Sequence, residues 1–124
     1  MYGTVLLLAS DPSSLADVMR AKGLIVYDCQ EPVEALEQLE HIAPDVVVAM
    51  LPPHVSPSIV PELRRLTDPA TSIIVASVPE QRDTARKAGA DSFLPDSASP
   101  SDLLYEIHRA LILRRSGRRL PWNW

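Results

Sequence analysis

The sequence has little cysteine, glycine or aromatic content, and it lacks long hydrophobic runs. Cys29 is the one cysteine among 124 residues, which excludes a disulfide-stabilised secreted scaffold and indicates a reducing compartment. The four glycines have the spacing of neither a P-loop nor a GxGxxG fingerprint. The longest apolar runs, such as Val5–Ala9, have about five residues, whereas a membrane span needs about twenty. The N-terminus has no charged n-region of a signal peptide, so we expect a cytoplasmic protein.

Acidic residues are absent from the last eleven positions. Residues 1–113 contain 8 Lys/Arg and 16 Asp/Glu, whereas residues 114–124 contain four arginines, two tryptophans and no acid. An acidic body repels the phosphates of nucleic acid, so we expect nucleic-acid contact only through this basic tail, if at all. We expect the tail to be a solvated terminus. The alternatives are a contact with a protein or membrane surface through Trp122 and Trp124, or the start of a linker to an output domain.

Five short apolar runs alternate with segments of helical periodicity. The runs are rich in Val and Ile, which is typical of parallel strands buried on both faces; they cover residues 4–9, 24–27, 45–50, 72–77 and 92–94. Five of the twelve prolines stand at predicted helix starts, where the missing N–H costs nothing: Pro12, Pro32, Pro57, Pro79 and Pro100. The order predicts one α/β domain over residues 1–113, a doubly wound (βα)5 flavodoxin-like sheet with strand order 2-1-3-4-5.

Apolar residues at helical spacing predict the buried face of each helix. The predicted faces contain Leu15, Val18, Met19, Val33, Leu36, Leu39, Leu63, Leu66, Leu103, Leu104, Ile107, Leu111 and Ile112. Asp11 precedes Pro12 and is therefore predicted to cap the first helix. Gly23 and Gly89 are predicted to end the first and fourth helices.

Four segments resemble those of response-regulator receiver domains. They read VLLLASDP at 5–12, PDVVVAM at 44–50, SIIVAS at 72–77 and AGADSFLP at 88–95. The last is the most specific, because Ala-Gly-Ala-Asp before an aromatic strand is typical of that family. The resemblance covers residues 4–113 and implies bacterial two-component (phosphorelay) signal transduction, in which an aspartate after the third strand accepts a phosphoryl group.

The resemblance also implies that this site is degenerate, which is the mark of a pseudo-receiver. The acceptor position is Met50, and a thioether cannot form an acyl phosphate. The two metal-binding acids correspond to Ala9 and Ser10; a shift of one residue would instead place Ser10 and Asp11 there and keep one metal ligand. Asp96 stands in place of the phosphate-binding lysine, which reverses the local charge. We therefore expect no metal or other cofactor.

Two elements of the family's switch persist. Ser77 occupies the hydroxyl position and Phe93 the position of the aromatic residue that rotates in the family's switch. The alternative roles are a strand-end cap for Ser77 and a half-buried core aromatic for Phe93.

No other pattern indicates catalysis, so we do not expect an enzyme. The histidines His41, His54 and His108 lack metal-ligand spacing. His54 lies near the functional edge of the predicted sheet, although a plain loop residue is the default interpretation. His108 is expected to be solvated. Cys29 has no neighbouring base and is expected to be a buried or inert thiol.

Two functions remain open. The first is a phosphorylation-independent interaction or dimerisation module that binds a protein partner or itself through the fourth and fifth helices. Its candidate face comprises Arg82, Arg86, Lys87, Asp102, Glu106 and Arg109. The second is a sensor of a small ligand near Ala9, Ser10, Met50, His54 and Ser77. A concave, partly apolar cavity at that edge would favour the sensor. A third reading, phosphorylation of an unconventional residue, is the least favoured.

Overall fold

The computed structural model describes residues 1–53 and 55–122. The strands are β1 (Thr4–Leu8), β2 (Ile25–Cys29), β3 (Val46–Met50), β4 (Ser72–Ser77) and β5 (Ser92–Pro95). The helices are α1 (Ser13–Ala21), α2 (Pro32–Gln38), α3 (Val60–Arg65), α4 (Arg82–Ala88) and α5 (Pro100–Arg115). Short 3-10 turns at Pro57–Ile59 and Pro79–Gln81 lead into α3 and α4.

The five strands form one parallel sheet in the order β2-β1-β3-β4-β5, which confirms the predicted fold class and strand order. Successive strand residues face opposite sides of the sheet, so the core has two layers. Val46 and Val48 pack with α1 and α5, whereas Val47 packs with residues of α2, α3 and α4. The carboxyl ends of β1, β3 and β4 therefore meet at one edge, where this fold builds its binding sites.

Prolines and glycines delimit the helices largely as predicted. Pro32, Pro57, Pro79 and Pro100 occupy the first turns of their helices, and Gly89 ends α4 with a left-handed φ of 110°, which glycine adopts without strain. The predicted cap of α1 is wrong. The cap residue is Pro12, whose carbonyl accepts from the Ala16 N–H at 2.8 Å, so Asp11 lies one position too early and makes no capping bond.

Four residues assigned to buried helix faces are exposed. Val18, Val33, Leu66 and Ile112 have between 37% and 59% of their surface accessible. Each helix packs against the sheet through a narrow strip of its own surface. Small residues form part of this strip, such as Ala35 in α2. The four exposed side chains lie at the margins of those strips, where periodicity alone does not separate core from surface.

Part of the segment 114–122 packs against the domain. Leu120 is buried and Arg114 and Trp122 are half-buried, so the prediction of a solvated terminus is wrong for these three residues, whereas residues 115–119 and Pro121 are exposed. Helix α5 continues across the predicted boundary to Arg115. The Arg114 guanidinium contacts Asp45 Oδ1 at 3.2 Å and Asp68 Oδ1 at 2.7 Å. The Ala70 N–H and Arg114 together lower the pKa of the Asp68 carboxyl. Leu120 is buried, and its N–H donates to Ser72 Oγ at 2.8 Å.

Asp91 is the most deeply buried carboxylate that contacts this tail. Arg119 Nε lies 3.0 Å from Asp91 Oδ1, and Arg64 pairs with the other oxygen, Oδ2. Oδ2 also accepts the Ile73 N–H at 2.8 Å. Burial raises the pKa of Asp91 and lowers that of Arg64, while the contacts between them oppose both shifts. One carboxylate thus joins α3, β4 and the tail.

Candidate functional site

The edge at the carboxyl ends of the strands brings together residues from β1 and β3. Ala9 follows β1, and its N–H donates to the Cys29 carbonyl at 3.0 Å. Met50 ends β3, is half-buried and pairs in register with Ala76 of β4. Ser10 follows Ala9 and is exposed. The structure therefore places Ala9, Ser10 and Met50 side by side at this edge.

Asp96 and Asp11 add negative charge to the same edge. Asp96 follows β5, and its N–H donates to the Ser77 carbonyl at 2.8 Å, which fixes its position. Both carboxylates are exposed. Within residues 1–53 and 55–122 neither one has an ion pair or a side-chain hydrogen bond. In the same part of the chain, no three His, Cys, Asp or Glu side chains group as metal ligands.

A cavity of about 400 Å³ opens between α1 and α5 at this edge. Its size lies in the range of small-molecule sites. It is lined by Ala9, Ser10, Asp11, Ser14, Leu15, Val18, Met50, Ala76, Leu94, Pro95, Asp96, Ala98, Ser99, Pro100 and Leu103. Two smaller cavities of about 230 and 270 Å³ share Ser10 and Met50 with it. Short side chains such as Ala9 and Ala98 leave this space open.

The contribution of α1 and α5 to the cavity was missed by the sequence reasoning. Leu15 and Leu103 were assigned to helix faces in the core, and periodicity is the same for a residue that packs against a neighbour and one that lines a void. The signal that could have located the cavity is the run of small and polar residues around it, from Ser10 to Ser14 and from Ser97 to Ser99.

Ser77 does not join Met50 in the cavities. It is fully buried, and its Oγ has no hydrogen-bond partner among the described residues. Strand alternation puts Ser77 on the same side of β4 as Ile73 and Val75, which pack with the α2–α4 layer. Ser77 lines none of the three cavities described above, and its grouping with Met50 in one pocket stays a prediction. Phe93 is half-buried against that same layer.

The α5 part of the predicted interaction face is occupied by contacts within the chain. Asp102 forms a capping box with Ser99, with bonds of 3.1 and 3.2 Å. Glu106 accepts from Ser92 Oγ at 2.8 Å and pairs with Arg109 at 2.7 Å. These side chains hold the start of α5 and tie α5 to β5.

The α4 part of the face contacts the tail. The guanidinium carbons of Arg82 and Arg86 lie 5.4 and 5.6 Å from the centre of the Trp122 ring, within the range of cation–π attraction. Lys87 is exposed. His54 and Trp124, which the sequence singled out, lie outside the described residues, and His108 is exposed as predicted.

Solved structures of other proteins share the fold of this chain over most of its length. A putative response regulator from Chloroflexus aurantiacus superposes with a TM-score of 0.76 at 23% identity, covering 90% of this chain and 99% of that one. The receiver domain of the Francisella response regulator 1452 superposes with a TM-score of 0.75 at 22% identity, covering 94% of this chain and 99% of that one. The fold is that of a receiver domain. The chemotaxis response regulator CheY4 of Vibrio cholerae also has this fold. It superposes with a TM-score of 0.75 at 20% identity, covering 89% of this chain and 99% of that one.

Comparison of the sequence alone finds no match. No family model and no curated protein matches the sequence. Among the described residues, none of the helices of this receiver fold combines the length and the apolarity needed to cross a membrane.

Cys29, at the end of β2, is buried, and its thiol lies 3.5 Å from the Leu7 carbonyl. Burial raises its pKa to about 11, with further contributions from Glu34 and Asp28. At about pH 8 only about one thiol in a thousand is then ionised, whereas an ordinary cysteine is ionised in about a quarter of molecules. We expect a thiol-reactive disulfide reagent to modify Cys29 more than about a hundredfold more slowly in the native protein than in urea. Equal rates would contradict the burial of this thiol.

Proposed function

We propose that this chain is a receiver-like signalling domain that works without phosphorylation. The observation that carries the proposal is Met50 at the end of β3, the position where the resemblance places the phosphoryl acceptor. A thioether sulfur has no negative charge and cannot form an acyl phosphate. The receiver fold and the four receiver-like segments support a role in signal transduction. We propose in addition that the protein is cytoplasmic and is not an enzyme.

The surroundings of Met50 support the same conclusion. Ala9 and Ser10 offer no carboxylate to a magnesium ion, which prefers carboxylate and other oxygen ligands. Asp96 carries a negative charge where a phosphoryl group would need a positive one. Even with Asp11 as a single metal ligand, the edge lacks both the nucleophile and the cation.

In this proposal the domain signals by binding a protein partner or a second copy of itself. The candidate surface is formed by α4 and α5, and it includes Trp122 because that ring lies against Arg82 and Arg86. A partner would meet a basic and aromatic patch on α4 next to the Glu106–Arg109 pair on α5. Such mixed charges favour specific pairing over tight binding.

Magnesium and beryllofluoride, an acyl-phosphate mimic, test whether a phosphoryl site survives. We expect no saturable change in the amide NMR signals of Ser10, Asp11, Met50, Ser77 or Phe93 when both are added. The reason is that position 50, where the resemblance places the acceptor, has no carboxylate to bind the beryllium, and positions 9 and 10 provide no pair of metal ligands. Saturable shifts centred on these residues would overturn the proposal.

The cavity between α1 and α5 favours a second candidate function, the sensing of a small ligand. It is concave, largely apolar and open at the edge where Ser10, Met50 and Asp96 meet. A collapsed edge would have argued against this function. Binding there would reach β5 through Leu94, and β5 also carries Phe93.

A further inference from the structure

The cavity of about 400 Å³ has a largely apolar wall, and the charged residues that line it in the described chain are acidic. Leu15, Leu94 and Leu103 contribute to its walls, and Met50 closes the end at β3. Among residues 1–53 and 55–122, no Lys, Arg or His lines it. In the described part of the chain, the charged groups of its lining are the carboxylates of Asp11 and Asp96.

These two carboxylates are available to a ligand. Both are exposed, and neither is neutralised by a cation among the described residues. They contrast with Asp45, Asp68 and Asp91, which all pair with arginines at the opposite edge of the sheet. Two like charges on one cavity repel an anion and attract a cation.

We infer that this cavity binds a small molecule that has an apolar body and one ammonium group. The inference rests on the second candidate function and names the class of its ligand. The ammonium would lie at the exposed end, where Asp11 and Asp96 supply charge and the Ser10 hydroxyl can accept a hydrogen bond. The apolar body would extend between α1 and α5 towards Leu103.

A bare metal ion fits the same groups less well. Calcium takes six to eight oxygen ligands and magnesium requires octahedral geometry, whereas the lining offers two carboxylates and no grouping of three acidic, His or Cys side chains in the described chain. A metal ion would also leave the apolar wall unused. The combination of wall and charge therefore favours an organic cation.

Three molecules with the same six-carbon chain separate the two parts of the inference: hexylammonium, hexanol and hexanoate. Titrations followed by amide NMR are expected to give saturable shifts at Ala9, Ser10, Asp96 and Leu103. The expected order of affinity is hexylammonium, then hexanol, then hexanoate. Methylammonium should bind far more weakly than hexylammonium, because each buried methylene increases the affinity roughly fourfold.

Neutral amide variants identify the carboxylates. Asp96→Asn and Asp11→Asn should each weaken hexylammonium binding by up to about fivefold, the usual range for exposed charge pairs, and leave hexanol binding unchanged. Asp83→Asn, which removes an exposed carboxylate from α4, is the matched control and should change neither.

Four outcomes would overturn the inference: no saturable binding of any six-carbon molecule, equal affinity for hexylammonium and hexanol, an equal effect of Asp83→Asn, or the same shifts with magnesium alone. None of them bears on the proposal that the domain works without phosphorylation, because these titrations contain no beryllofluoride.

Discussion

Replacement of Asp91 by alanine is expected to lower the free energy of unfolding by about 3–5 kcal/mol, because it leaves a partly buried arginine without its counter-ion. Arg64 keeps only about a fifth of its side chain exposed, so water can replace the lost carboxylate poorly. The Ile73 N–H also loses its 2.8 Å acceptor, and an unsatisfied buried donor adds to the cost. Urea unfolding followed by circular dichroism measures the change.

Asp28→Ala is the control for this prediction. Asp28 pairs with Arg20 at 3.3 Å, but both side chains are more than a third exposed, so its loss should cost less than about 1 kcal/mol. If Asp91→Ala does not fold, Arg119→Ala removes only the half-exposed partner and should lower stability more modestly. An Asp91→Ala variant as stable as Asp28→Ala would contradict the importance assigned to this buried carboxylate.

Four substitutions together are expected to create a phosphoryl site of the kind that the resemblance implies: Ala9→Asp, Ser10→Asp, Met50→Asp and Asp96→Lys. The backbone already supplies the framework, because Leu8 and Ala49 pair in register and Ala9 and Met50 come directly after them. All four positions line the cavity of about 400 Å³, so larger or charged side chains find room there. The variant should show saturable NMR shifts with magnesium and beryllofluoride, where wild type shows none.

A triple variant that keeps Met50 isolates the role of the acceptor. With Ala9→Asp, Ser10→Asp and Asp96→Lys alone, magnesium is expected to bind but beryllofluoride is not, because Met50 leaves no carboxylate at the acceptor position to bind the beryllium. A folded quadruple variant that remains silent would show that more than these four side chains separates the domain from a phosphoryl acceptor. Equal responses of the two variants would contradict the assignment of Met50 to the acceptor position.

The fold could be predicted because its determinants are local. Continuous runs such as Val46–Met50 identify buried parallel strands, and prolines such as Pro100 identify helix starts, without knowledge of any distant contact. The placement of Ala9, Met50 and Asp96 at one edge follows from the same topology, since the carboxyl ends of parallel strands converge.

The tail and the cavity could not be predicted for the opposite reason. The pairing of Arg114 with Asp45 joins residues 69 positions apart, and the sequence gives no sign of which of sixteen acids an arginine will meet. The cavity exists because its lining residues, such as Leu15 and Leu103, leave space between α1 and α5. Hydrophobic periodicity does not reveal whether two apolar side chains contact each other or leave such a space. The burial of Ser77 could not be predicted either, because one residue along a strand changes the face on which a side chain lies.

The docking of residues 114–122 bears on how the chain folds as it is synthesised. Arg114 contacts Asp45, just before β3, and Leu120 contacts Ser72 of β4, across separations of 69 and 48 residues, and such distant contacts slow folding. A nascent chain that has emerged only to residue 113 contains all five strands, yet Asp45 and Asp68 still lack their arginine and Asp91 has only Arg64. A sheet that forms before residues 114–122 are available therefore lacks these contacts, and the docking of this segment supplies them.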